Sequence, residues 1–324
     1  MITSSSDPLR RIVWAAGIVA VVTAAALRPD ACSAAARATA SPFATLAAII
    51  LASALAGRLG AFRVLARALI PARGGKATSA AAVLALTATL SALVNLDVAV
   101  VVAVPVALSA AQRQGLSAGR LVTAVAVMAN AASFLLPTSN ITSLLLLGRV
   151  PLAATAYITD SWLAWLLVTA VTLAPLAAWA ASAPPGQARD VAAGPSARAV
   201  LDLVPMYLTA SGVRALLGTG LALHGSFPAQ LAVAAALACA VSNLPAAAAI
   251  VPAGPAGLWA AVLATAIGPN LLLTGSVATL IARRIARDGG ARLTAWKFSA
   301  LGAALLPAQF AAAALGLYVT GVLR

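Results

Sequence analysis

Apolar runs of about helix length follow one another along nearly the whole chain, and polar residues collect in short segments between and inside them. The pattern predicts helices over 12–28 and 42–57, then an amphipathic stretch over 57–70 in which Arg58, Arg63 and Arg67 recur every four or five positions. A basic loop holds Arg73 and Lys76. Residues 78–111 are apolar apart from Asn95-Leu96-Asp97 near their middle, too long for one span and short for two. They predict a re-entrant hairpin of two half-length helices with the polar triplet at its tip, a shape allowed at membrane depth only when the tip is buried in protein. Residues 120–148 break at Pro137-Thr138-Ser139-Asn140, and a helix covers 160–180.

The same order then recurs. After a Pro-, Gly- and Ala-rich stretch comes a helix over 201–222, then a shorter hairpin over 228–253 with Ser242-Asn243-Leu244-Pro245 at its tip. A helix over 256–284 breaks at Gly268-Pro269-Asn270 and Thr274-Gly275-Ser276, and a last helix covers 297–322. Aligning Thr138-Ser139-Asn140 with Thr274-Gly275-Ser276 keeps the breaks in register and brings Leu144 onto Leu280. The expected division is an N-terminal helix and external loop (1–40), a first repeat (41–180), a cytoplasmic linker (181–200) and a second repeat (201–324).

Composition makes the medium explicit. The 324 residues are 62% hydrophobic and 9% charged, with mean hydropathy +1.01, more apolar surface than a soluble domain can hide. The runs are continuous rather than alternating, so the fold class is all-α integral membrane, with about seven spans and two hairpins, and not a barrel. The apolar N-terminal run after Arg10-Arg11 reads as a retained first helix rather than a cleaved signal.

The formal charge of +14 sits between the runs, which points to membrane topology and not to nucleic acid. With a cytoplasmic N-terminus, 16 of the 21 basic residues fall inside and 5 (Arg28, Arg37, Arg149, Arg214 and Arg324) outside. That bias sets an external C-terminus, and the plasma membrane is the expected location. It also makes the two repeats inverted, a plan of secondary transporters.

Broken helices free backbone N–H and C=O groups at the membrane midplane, and neutral hydroxyls and amides beside them suit an oxygen-rich solute. The candidate binding residues are Asn95, Asp97, Thr138, Ser139 and Asn140 from the first repeat. Ser242, Asn243, Asn270, Thr274, Gly275 and Ser276 come from the second. Asp97 is the only acid deep in an apolar run. A carboxylate there must be paired, hydrated or protonated, so Asp97 is a candidate proton-coupling group, the cap of the helix that follows it, or both. Cys32 and Cys239 have no neighbours at ligand spacing, so no metal is expected. No P-loop supports ATP hydrolysis. No His, Glu and Cys cluster supports an enzyme, and no cofactor is implied.

At these residues the chain resembles the arsenical pump membrane protein (ArsB-type) family. The likeness rests on Asn95-Leu96-Asp97-Val98-Ala99, Ser139-Asn140-Ile141-Thr142, Ser242-Asn243-Leu244-Pro245, and Gly268-Pro269-Asn270 leading to Thr274-Gly275-Ser276-Val277-Ala278-Thr279-Leu280. Leu96 departs from it by separating Asn95 from Asp97. The resemblance implies an efflux permease for arsenite or antimonite, carried as a neutral hydroxide or small oxyanion. Proton coupling is favoured over sodium, because the tips lack the Ser-Asn-Thr of related sodium–dicarboxylate symporters. A soluble ATPase partner and a homodimer are compatible with it. The alternatives are a citrate or dicarboxylate transporter or a cation/proton antiporter of the same superfamily, and, from another class, a non-transporting scaffold or membrane enzyme.

Overall fold

A computed structural model describes residues 8–69, 74–182, 200–201, 203–217 and 220–323. Most of the expected 181–200 linker lies outside the described residues, as do Arg73, Arg189, Arg198 and Arg324 of the charge count.

The chain opens with α1 (Pro8–Leu27), α2 (Pro29–Arg58) and α3 (Ala61–Leu69). The external loop expected before residue 41 is instead the first third of α2. Pro29 takes a first-turn position, Asp30 faces the helix N-terminus and the Ala-rich segment behind them has the highest helix propensity of any residue type. Gly60, at φ 79°, turns the chain between α2 and α3. In α3, Phe62 and Ala66 are buried while Arg63 and Arg67 are exposed, as an amphipathic helix requires.

The first hairpin is α4 (Lys76–Leu93) and α5 (Leu96–Gln114), followed by α6 (Ala118–Ala131), a break with a single 3₁₀ turn at Pro137–Ser139, α7 (Ile141–Leu147) and α8 (Ala154–Ala181). The arms of this hairpin are not half-length. With 18 and 19 residues at 1.5 Å per residue, each reaches ~27 Å, close to the hydrocarbon thickness. Helix α5 continues through Pro105, which is buried inside it.

The second half is α9 (Leu203–Leu217), α10 (Phe227–Val241), α11 (Asn243–Ala249), α12 (Gly254–Ile267), a 3₁₀ turn at Gly268–Leu271, α13 (Val277–Asp288) and α14 (Ala295–Val319). Its hairpin is much shorter on the return side, because α11 ends after seven residues. Ile250 and Val251 then leave the helix as β2 and pair in parallel with Leu221–Ala222, the two-residue β1. The helix expected over 201–222 therefore stops at Leu217. β-branched residues followed by Pro252 favour the extended exit.

Among the described residues, five helices (α2, α4, α5, α8 and α14) are long and apolar enough to span a membrane, and α1, α6, α9 and α10 carry shorter apolar segments. The two halves interlock reciprocally. Helix α5 packs on α13, and α11 on α7; α6 packs on α13, and α12 on α7; α8 lies along α14. Helices α1, α2 and α9 pack together along close seams, and join the rest of the fold where α9 meets α11 and α2 meets α5. A Cβ at Gly212 would collide with Ala20, and one at Gly17 with the Pro205 carbonyl, the small-residue contact that membrane helices use to approach closely. Across the α2–α9 seam, Thr39 and Ser211 share a hydrogen bond of 2.7 Å and the Tyr207 hydroxyl donates to the Ala36 carbonyl at 2.9 Å.

Candidate transport site

Each hairpin tip is tied to the helix break of its own half. In the first half, Asn95 precedes α5 in extended conformation, and its side-chain oxygen accepts from the Asp97 N–H at 2.8 Å. That is the N-cap arrangement, so the cap is Asn95 and not Asp97. The Asn95 amide donates to the Thr138 carbonyl at 3.3 Å, and the Ser139 hydroxyl donates to the Ala92 carbonyl. Asn140 repeats the Asn95 geometry at the start of α7, accepting from the Thr142 N–H at 3.1 Å.

In the second half the hub is Gly275. Its carbonyl accepts from the Asn243 N–H at 2.8 Å and from the Ser242 hydroxyl at 3.3 Å. A side chain there would fall 2.9 Å from the Pro269 backbone, so only glycine fits the fold of this break. Ser242 has φ 75° and ψ 155°, and is the one non-glycine at positive φ among the described residues. That region is almost reserved for glycine, and holding serine in it costs about 1–3 kcal/mol. Strained backbone of this kind concentrates at functional sites.

A third polar group joins the halves, and its centre was missed by sequence reasoning. Asn130, buried in the last turn of α6, donates to the Asn270 side-chain oxygen at 2.9 Å and to the Thr279 hydroxyl at 3.2 Å. Asn270 in turn donates to the Val127 carbonyl at 3.3 Å. Asn140 reaches the same network through Ser133, at 3.2 Å, and Ser133 donates to the Asn130 carbonyl at 2.9 Å. On the other side, Thr265 of α12 meets Thr142 of α7 at 3.3 Å. An Asn inside the apolar run 121–134 is the available signal, although it stands ahead of the Pro137 break rather than in it.

The site residues thus divide by what their polar groups already do. The side-chain amides of Asn95, Asn140 and Asn270 are engaged in holding tips and breaks together. Two oxygens of this polar group are buried without a partner, the Asn130 side-chain oxygen and the Ser276 hydroxyl, the latter at the start of α13. The Asp97 carboxylate is 6% exposed and receives no hydrogen bond or ion pair from any described residue.

Ser242 and Thr274 face a cavity of about 160 Å³ between the second tip and the α1–α2–α9 bundle. Its walls are mainly apolar, including Ile12, Phe43, Met206 and Leu280, with Thr209 adding a hydroxyl from α9. Among the described residues, no charged side chain lines it. Opposite this cavity, Arg149 closes the far end of the short α11. Its guanidinium donates to the carbonyls of Ala247, Ala248 and Ile250, the unpaired acceptors of a helix C-terminus. Partial burial, and secondarily the charge of Arg214, hold its pKa below the ordinary arginine value.

Among the described residues no group of three His, Cys, Asp or Glu side chains is placed to hold a metal ion. No curated protein matches the chain. The family model described as citrate transporter (CitMHS) matches residues 1–323. With polar helix breaks inside a multi-pass apolar fold, and a match over nearly the whole length, the chain belongs to the citrate transporter family, a family of secondary membrane transporters.

Proposed function

We propose that the chain carries a small carboxylate anion of the citrate class across the plasma membrane, with a proton as coupling ion. The family match over residues 1–323 carries the substrate class. The cavity between Ser242, Thr274 and the α1–α2–α9 bundle supports the mechanism. It lies on the seam between two packing units. The hairpins and broken helices form one, tied together by the Asn130 network and the Gly275 hub. The α1–α2–α9 bundle forms the other. Sliding of the first unit against the second would carry a solute held at the second tip from one face to the other, an elevator-type movement of two inverted repeats. The arginine-rich end faces the cytoplasm by the positive-inside rule.

Hydroxyls at the seam and the unpartnered Ser276 oxygen suit an oxygen-rich solute. Asp97, buried without a partner, is the group suited to take up and release a proton during the cycle. A second reading is favoured by one observation: no cationic side chain among the described residues lines the cavity, which also suits a neutral trihydroxide such as arsenite. The same seam movement would then drive efflux, as the ArsB-type resemblance implies.

Purified protein in liposomes separates the two. Labelled citrate uptake driven by an imposed pH gradient, lost when a protonophore is added, is the expected result. Arsenite flux without citrate flux would replace the first reading by the second. Neither flux, with correctly inserted protein, overturns both.

A further inference from the structure

A second cavity, of about 370 Å³, lies at the arginine-rich end, away from the helix breaks. It is enclosed by the start of α6, the end of α8 and the loop between α13 and α14, and three cations line it: Arg120, Arg292 and Lys297. Arg120 is held in place, donating to the Trp179 carbonyl at 3.1 Å and the Ser182 hydroxyl at 2.9 Å, with its guanidinium 5.1 Å from the centre of the Trp179 ring. Arg292 and Lys297 are exposed, and no described residue offers either side chain a hydrogen bond or a carboxylate. No acidic residue among those described lines the cavity.

Two further features point the same way. Ser117 caps α6 and Thr294 caps α14, and neither side chain makes the capping bond. The first-turn N–H groups of two helices therefore border a space already ringed by positive charge. Gly119 allows this convergence, because a Cβ there would lie 2.9 Å from the Arg292 carbonyl. Three concentrated like charges with no counter-ion among the described residues repel one another, and an anion between them relieves that repulsion.

We infer that this cavity is a binding site for a phosphate group, separate from the transport site. The chemistry is shared by the headgroup of an anionic lipid and by free phosphate. Trp179 in the wall and the exposed Trp296 beside Lys297 are the residue type that settles at the headgroup level. Basic pockets between membrane helices take lipid headgroups in this way.

The test uses the full chain in nanodiscs of phosphatidylcholine, with phosphatidylglycerol added in one arm and inorganic phosphate titrated in the other. Thermal unfolding is followed for the wild type, Lys297→Gln, and the Arg292→Gln/Lys297→Gln pair. Both positions are exposed, and unfolding in phosphatidylcholine alone checks that the variants fold. A saturable rise in melting temperature is expected, with apparent affinity about tenfold weaker for Lys297→Gln and lost in the pair. A rise with phosphatidylglycerol alone identifies a lipid headgroup, a rise with phosphate alone a soluble anion, and a rise in both arms a site for either. No rise in either arm, or the same rise in wild type and the double variant, overturns the proposal.

Discussion

The side-chain amide of Asn130 donates to the side-chain oxygen of Asn270 at 2.9 Å, joining the last turn of α6 to the helix break of the other half. The pair is buried, and each asparagine has a second partner, Thr279 or the Val127 carbonyl. Replacing either residue by alanine strands polar groups in the interior, at about 1–3 kcal/mol for each buried unsatisfied group. Thermal unfolding in detergent should show that loss for Asn130→Ala and for Asn270→Ala. The double variant should lose clearly less than the sum, because the two residues share one bond. Additive losses would show that the halves are not coupled here.

Gly302 of α14 packs directly on the backbone of Asn270, and a Cβ at that position would overlap the Asn270 carbonyl. Gly302→Ala should therefore displace the break and destabilise the protein by about 1–3 kcal/mol. Gly75, with nothing within 4 Å of its Cβ position, provides the control: as the N-cap of α4 it should lose only the small capping preference of Gly over Ala in Gly75→Ala, well under the loss for Gly302→Ala.

Ser242 separates backbone strain from chemistry. Ser242→Gly releases the strain of φ 75° and should raise stability by about 1 kcal/mol, while removing the hydroxyl that faces both Gly275 and the cavity. More stable protein with slower solute flux is expected. Ser242→Val keeps the strained backbone, adds a β-branched side chain to it, and should lower both. Full transport in Ser242→Gly would remove Ser242 from the binding residues.

Asp97 is buried with no partner among the described residues, so a neutral isostere removes a liability. Asp97→Asn should leave stability unchanged or slightly higher. In liposomes it should abolish flux driven by a pH gradient and retain exchange of solute against solute. Uptake driven by a pH gradient at the wild-type rate would exclude Asp97 as the proton carrier.

Arg149 offers a planar fork to three carbonyls at the end of α11, a geometry that an ammonium does not reproduce. Arg149→Lys should lose about 1 kcal/mol and Arg149→Ala rather more, moderated by the partial exposure of the side chain. Burial and Arg214 lower the guanidinium pKa. For a base, a lowered folded-state value makes the charged form less stable in the fold than in the unfolded chain. The resulting pH dependence lies in the alkaline range, where guanidinium titrates. The stability difference between wild type and Arg149→Lys should accordingly stay constant across neutral pH.

The places where helices break were legible residue by residue. Pro137, Gly268 and Pro269 remove donors or relax the backbone locally, and Asn95 and Asn140 cap whatever helix follows them. Such effects act within a few residues, so sequence alone determined a membrane-embedded helical protein with paired breaks at these positions. Sequence did not show that the segment before residue 41 is helix, where Ala propensity outweighs the polar residues scattered through it. Nor did it show that α11 stops after seven residues to pair as a strand with Leu221–Ala222. Only the tertiary structure decided which polar side chains are spent on each other. Asn130 looks like any asparagine in an apolar helix until α6 is laid against the second break, and Asn270 reads as a ligand until its bonds to Asn130 and Val127 are seen. A polar group at membrane depth must find a partner somewhere, and whether that partner is the protein or the solute depends on contacts between residues far apart in the chain.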